Sequence, residues 1–216
     1  MKVNSSALEK LCNEYDDMVF PKDGTKKEYG NAVLLGSWTL SAYAKNLKGV
    51  DLGKEIDRKT GDIDLYVLDE ETVNALDLMD DPDVNYNECW QPFREMESDP
   101  DGKFEFFTSC PFEDEITNKL FDYLKEEQNL DSLSFSEKIK IPKPWVWLGL
   151  KISALEQSKK EKHRHDIIYF KGLVGDNKMK EYINELASKD KSFKKLKSIY
   201  QTMLQEELPD SRIDDF

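Results

Sequence analysis

The sequence predicts an α+β fold, in which a mixed β-sheet core is flanked by helices and followed by a helical C-terminal section. Segments typical of strands occur only before residue 142, where they are mixed with helical segments. From residue 145 onward, apolar residues recur at helical spacing and no further strand pattern follows. Of the 216 residues, 38% are hydrophobic and 11% are aromatic, which is sufficient for a folded core.

The N-terminal segments alternate between helix and strand. Residues 5–18 have the apolar spacing of a helix, and residues 31–35 form a short apolar run that is typical of a buried strand. This run ends at Gly36-Ser37, where a second helix begins. Residues 61–68 predict a second strand, because apolar and polar side chains alternate along the segment.

The middle of the chain is less regular. Residues 69–80 predict a short acidic helix, and residues 81–102, which contain three prolines, predict an irregular insertion. A third strand is predicted over 103–108, a helix over 112–127 and a fourth strand over 133–141.

The rest of the chain predicts helices over 145–158, 162–173, 176–188 and 191–207. We therefore expect a core domain over residues 1–142 and, packed on it, a C-terminal helical section over residues 143–216.

The net charge of −13 argues against a protein whose whole surface binds nucleic acid. The charge is uneven, however: residues 1–137 hold 14 Lys+Arg and 32 Asp+Glu (−18), and residues 138–216 hold 17 and 12 (+5). Such a division suits a metal site beside a phosphate-binding surface. The alternative is that the Lys-rich helices are simply solvated.

Several protein classes are excluded by features that the sequence lacks. No apolar run is long enough for a membrane-spanning helix and the N-terminus is polar, so we expect a cytoplasmic protein. Cys12, Cys89 and Cys110 fit neither a disulfide framework nor a zinc site, and are interpreted as reduced structural thiols. The pair His163 and His165 lies among Lys and Arg residues, and is interpreted as solvated or phosphate-facing.

Three carboxylates form the pattern that points most directly to chemistry. Asp62 and Asp64 lie on the same face of their strand, where their mutual repulsion is relieved by a divalent cation. Glu105 alternates with aromatic residues on the third strand, and faces the pair if the two strands are neighbours. Carboxylate oxygens favour Mg²⁺ or Mn²⁺, and three such groups suit a two-metal site. Taken alone, a D-x-D pair is more often an ordinary feature of an exposed strand face, and Glu105 alone also fits a solvated strand residue.

The Gly36-Ser37 turn completes this pattern. A glycine between a strand and a helix lets backbone N–H groups approach a phosphate, which the helix N-terminus favours. The alternative for Ser37 is an ordinary helix N-cap.

The order of these motifs resembles a known family. The segments LLGSWTLSAYA and DRKTGDIDLYV resemble the nucleotidyltransferase superfamily typified by DNA polymerase beta, and Arg58-x-Thr60-x-Asp62-Ile-Asp64 is closer to its abortive-infection (type IV toxin) branch. The resemblance implies that Asp62, Asp64 and Glu105 bind the metals, and that Gly36, Ser37, Arg58 and Thr60 bind the nucleotide. The branch usually has Gly-Gly at the turn and Asp as the third acid.

A second match covers residues 139–170, where that branch has a helix with a Lys before an Ala-Leu pair, then an Arg-x-Asp. It implies that Lys151 contacts the triphosphate and that Asp166 is the acid of the following helix. The residues themselves leave alternatives open: Lys151 extends to solvent, Asp166 pairs with Lys162, and Arg58 pairs with a nearby acid.

The resemblance implies a Mg²⁺- or Mn²⁺-dependent enzyme that transfers NMP from an NTP to an acceptor hydroxyl. The residues leave the acceptor open. For a toxin-like enzyme the resemblance implies RNA, such as tRNA bound by the Lys-rich helices of 159–197, and an antitoxin protein as partner. Two alternatives remain: a small-molecule acceptor of the antibiotic type, attracted by the acids of 81–101, and a catalytically silent binding module.

Overall fold

A computed structural model of the chain describes residues 5–19, 30–49, 62–69, 72, 85–86, 92–95, 102–108, 110 and 114–205. Within these residues the fold is α+β, with one mixed β-sheet and seven α-helices, which confirms the predicted fold class. The chain divides into two compact units, Met1–Trp147 and Leu148–Phe216.

All strands that the structure describes belong to the first unit and form one sheet. They are β1 (Ala32–Leu34), β2 (Asp62–Val67), β3 (Asn85–Tyr86), β4 (Pro92–Glu95), β5 (Lys103–Phe107), β6 (Leu130–Ser132) and β7 (Ile139–Pro142). Their order across the sheet is β3-β4-β5-β2-β1-β7-β6. The pairs β2–β5 and β1–β7 are parallel, and the other neighbours are antiparallel.

Strands β1, β2 and β5 form the centre of the sheet for reasons that are visible in their sequences. All three residues of β1 are fully buried, as its continuous apolar sequence predicts. In β2 and β5, buried side chains alternate with half-buried charged ones, so that one face of each strand packs in the core. The opposite face therefore collects the charged side chains of two adjacent strands.

Seven α-helices follow the predicted positions within a few residues. They are α1 (Ser5–Val19), α2 (Trp38–Lys48), α3 (Glu115–Leu124), α4 (Pro144–Ser158), α5 (Glu161–Val174), α6 (Asp176–Lys189) and α7 (Lys194–Gln205). A 3₁₀ turn, Lys191–Phe193, precedes α7, where the sequence predicts a continuous helix from residue 191. The boundary between the two units falls inside α4.

Two predictions about strands are wrong in part. The insertion at 81–102 is not wholly irregular, because β3 and β4 extend the sheet beyond β5. Pro92 is the first residue of β4, a position at which a missing N–H is tolerated. Of the predicted strand over 133–141, only residues 139–141 are in a strand, β7. Residues 133–138 form the turn between β6 and β7, where the Ser136 hydroxyl accepts N–H bonds from Lys138 and Ile139.

The second unit consists of helices. Its buried apolar residues recur at three- and four-residue intervals along α5, α6 and α7, as the helical periodicity predicts. Of the predicted acidic helix over 69–80, only Asp69 and Thr72 belong to the described residues. Residues 206–216 also lie outside the described residues. Among the helices that the structure describes, none is both long and apolar enough to cross a membrane.

Candidate functional site

The turn between β1 and α2 is held in place by hydrogen bonds from three directions. The backbone N–H of Leu35 donates to the Asp64 carbonyl at 2.8 Å, and the Trp38 indole donates to the Asp62 carbonyl at 3.0 Å. The Trp147 indole donates to the carbonyl of Gly36 at 3.1 Å. These contacts connect the turn to β2 and to the start of α4.

Gly36 is required by the geometry of this turn. Its φ is +66°, in the region that side-chain-bearing residues rarely adopt, and a β-carbon at this position would overlap Oδ2 of Asp64. The Asp64 carboxylate therefore lies directly against the backbone of the turn. This close approach explains why a glycine ends β1.

Ser37 follows Gly36 at the start of α2. Ser37 occupies the N-cap position of α2, but its side chain makes no capping hydrogen bond to the helix. Its backbone carbonyl accepts from the N–H of Leu40 at 3.1 Å. The first turn of α2 contains no acidic residue, so nothing on the helix itself opposes an anion at its N-terminus.

The parallel pairing of β2 with β5 brings the three predicted carboxylates together. Glu105 lies directly beside Asp64, and Lys103 lies directly beside Asp62. Because both strands alternate in phase, all four charged side chains share one face, while Ile63 and its neighbours on the other face are buried. The condition that the sequence left open for Glu105 is therefore met, because β2 and β5 are neighbours and Glu105 shares a face with the pair.

Lys103 is the member of this cluster that the sequence analysis missed. Its ammonium nitrogen, Nζ, lies 2.7 Å from Oε1 of Glu105 and 3.9 Å from Oδ1 of Asp62. Burial, the largest single effect, lowers the pKa of Lys103, but the hydrogen bond to Glu105 and the charges of Glu105, Asp62 and Asp64 together raise it. The signal was present in the period-two pattern, which places Lys103 and Glu105 on one face.

The donor atoms of this face are carboxylate oxygens, which suit a hard divalent cation such as Mg²⁺ or Mn²⁺. Asp62 and Asp64 fit as two ligands of one such ion, with 45% of the Asp62 side chain exposed. The Glu105 side chain is 13% exposed and forms an ion pair with Lys103. In the part of the chain that the structure describes, no group of three or more His, Cys, Asp or Glu residues converges to hold a metal, so the predicted three-carboxylate ligand set does not fit as it stands.

The second unit contains the other predicted pair, Lys151 and Asp166. Lys151 Nζ lies 2.6 Å from Oδ2 of Asp166, and the two side chains are 8% and 1% exposed. Lys151 therefore does not extend to solvent, and Asp166 pairs with Lys151 on α4, a residue of another helix. The ion pair joins α4 to α5 inside this unit.

Arg164, the arginine of the Arg-x-Asp motif, has a separate contact. It is buried, and its Nη2 donates to the Met203 carbonyl at 3.0 Å, near the C-terminal end of α7. Arg164 also lines a cavity of about 440 Å³ beside Lys159 and Lys195, and Lys195 pairs with Glu156 at 2.8 Å.

The remaining predicted positions are less informative. Arg58, Thr60 and the side chains of 81–101 lie outside the described residues. His163 and His165 are half-buried on α5. Comparison with protein-family models, with curated proteins and with solved structures found no match to this chain.

Proposed function

We propose that this chain is a metal-dependent nucleotidyltransferase, which transfers NMP from an NTP to an acceptor hydroxyl and releases pyrophosphate. The observation that supports the proposal is the position of Asp64: it lies against the Gly36 turn on one side and beside Glu105 on the other. The turn that we propose to bind phosphate, the two carboxylates that we propose to bind metal and the third acid belong to one unit, which supports the proposal.

The turn would bind the phosphates. Backbone N–H groups at the start of α2 and the Ser37 hydroxyl supply donors, and the helix dipole favours an anion there. The carboxylates of Asp62 and Asp64 repel the same anion, so binding at this place requires a cation between them. When bound, Mg²⁺ or Mn²⁺ would neutralise these charges and polarise the phosphate oxygens.

Glu105 would accept the proton of the acceptor hydroxyl. The hydroxyl oxygen forms a bond to the α-phosphorus, the bond from that phosphorus to the bridging oxygen breaks, and pyrophosphate leaves. The hydrogen bond from Lys103 holds Glu105 in a defined position beside Asp64. No Ser or Cys nucleophile of the protein takes part, because the acceptor supplies the attacking oxygen.

We propose RNA as the acceptor. Lysines of the second unit would bind the phosphates of the RNA backbone. Several of these lysines already pair with acids, including Lys171, Lys178 and Lys189. The exposed lysines at 159, 160, 180, 191 and 194 are the better candidates for phosphate contacts. Binding through them would weaken steeply as salt is raised, and a flat salt response would contradict an RNA acceptor. The antitoxin partner and the small-molecule acceptor remain proposals that rest on the family resemblance and on the acids of 81–101.

One observation favours a second candidate, the catalytically silent binding module. Lys103 already neutralises part of the carboxylate charge, as a lysine would in a site that no longer binds metal. Such a module would bind no NTP in a manner that depends on Mg²⁺.

Calorimetric titration of the four NTPs, with Mg²⁺ and with EDTA, tests the proposal and separates it from this alternative. We expect one NTP to bind only with Mg²⁺, and Asp64→Asn to weaken this binding at least about tenfold, which is about 1.4 kcal/mol. Asp131→Asn, which alters an exposed acid on β6, is the matched control and should bind as the wild type does. Binding that is equal in EDTA, or unchanged in Asp64→Asn, would reject the assignment.

A further inference from the structure

Lys103 lies on the carboxylate face, within reach of two of its three acids. Its Nζ contacts Glu105 at 2.7 Å and approaches Asp62 at 3.9 Å. The side chain reaches this place from its own strand, directly beside Asp62 in the register of β2 and β5. Lys103 therefore supplies a positive charge to this face.

The ion pair between Lys103 and Glu105 favours one divalent ion. The lysine already offsets part of the negative charge of the carboxylates beside it. A second divalent ion that used Glu105 as a ligand would have to displace the lysine ammonium from its hydrogen bond. This second ion would also be repelled by the positive charge of Lys103. Because only 29% of the Lys103 side chain is exposed, solvent screens this repulsion only in part.

We infer that Lys103 takes the place of the second divalent cation, so that Asp62 and Asp64 bind a single ion and Glu105 is positioned by the lysine. The inference rests on the proposed function, since it assumes that Asp62 and Asp64 bind metal. It corrects the two-metal expectation, and it accounts for the lack of a three-carboxylate ligand group among the residues that the structure describes.

Titration with Mn²⁺, with the free ion measured by electron paramagnetic resonance, tests the inference without any assay of activity. Each protein is titrated together with a variant of it that also carries Asp62→Asn and Asp64→Asn. The number of ions at the site is the difference between the numbers bound by the two, because subtraction removes weak binding elsewhere. We expect this number to be one for the wild type and two for Lys103→Met, in which Glu105 becomes available. Lys103→Arg, which retains the charge, should bind one ion.

Lys119→Met is the matched control, because it removes a lysine that pairs with Glu115 on α3 at 3.1 Å, in a different ion pair of the same unit. It should leave one ion bound, and circular dichroism should show that all variants are folded. Two ions in the wild type, or one in Lys103→Met, would overturn the inference while leaving the metal site intact. No difference on removing Asp62 and Asp64 from the wild type would overturn both the inference and the proposed function.

Discussion

The Asp64 carboxylate occupies the space that a β-carbon of residue 36 would need, so Gly36 and Asp64 are in direct contact. The N–H of Leu35 also donates to the Asp64 carbonyl, so the turn holds both the backbone and the side chain of this acid. The position of the carboxylate thus depends on the residue at the end of β1. This dependence allows the site to be perturbed without changing any charged residue.

Gly36→Ala should move Asp64 and abolish Mg²⁺-dependent nucleotide binding. The added methyl group overlaps the carboxylate, and the φ of +66° costs a non-glycine residue about 1–2 kcal/mol in the free energy of unfolding. We expect a larger total loss of stability, measured by urea unfolding, because the overlap adds to the backbone strain.

Gly49→Ala is the control for this experiment. Gly49 has the same backbone conformation, with φ +65°, but nothing lies within 4 Å of its would-be β-carbon. It should lose only about 1–2 kcal/mol and keep full nucleotide binding. Equal binding by both variants would show that Gly36 does not determine the position of Asp64.

The ion pair between Lys151 and Asp166 should contribute strongly to the stability of the second unit. Lys151→Met leaves the carboxylate of Asp166 buried without its cation, for which we expect a loss of about 3–5 kcal/mol in urea unfolding. The double variant Lys151→Met with Asp166→Leu should lose less than the sum of the single variants, because it leaves no uncompensated charge.

The pair between Lys195 and Glu156 provides a comparison within the same unit. Its atoms are 2.8 Å apart, but the Lys195 side chain is 57% exposed. Lys195→Met should therefore cost less than about 1 kcal/mol. For the buried pair, losses of stability that add up in the double variant would show that Lys151 and Asp166 act independently.

Cys12 should be unreactive in the folded protein. Burial raises the pKa of its thiol, the charges of Asp16 and Glu9 raise it further, and Lys45 lowers it in part. The thiol is consequently protonated and covered at pH 8, and raising the pH to 9 should not expose a thiolate. The measurement is labelling with Ellman's reagent in a Cys89→Ser, Cys110→Ser variant, in which Cys12 is the remaining thiol.

Denaturant should make Cys12 in this variant react fully. A Cys12→Ala, Cys89→Ser variant, which keeps the half-buried Cys110, supplies the comparison and should react faster in the folded state. Rapid labelling of Cys12 in the native protein at pH 8 would contradict the burial of α1 against the core.

The local patterns were predictable because each depends on residues that are close in the chain. Strand alternation placed Asp62 and Asp64 on one face, and the same period places Lys103 with Glu105. The helices after residue 143 were predictable for the same reason, since their apolar spacing is local.

Two strand errors show where local patterns are insufficient. Pro92 indicates a break in the chain, yet β4 starts there because β5 has a free edge with which it pairs. The segment 133–141 has the composition of a strand, but residues 133–138 of it form the turn that follows β6. In both cases the outcome depends on a partner segment and not on the segment itself.

The sequence by itself determined the fold class, the order of most elements and the residue types of the candidate site. Only the tertiary structure decided that β2 and β5 are adjacent and in register, that Lys103 lies beside Asp62, and that Lys151 pairs with Asp166. The physical reason is that these contacts join residues 15 to about 40 positions apart in the chain. Their formation depends on how the whole core packs, whereas the periodicity of a strand or helix is set by its own backbone.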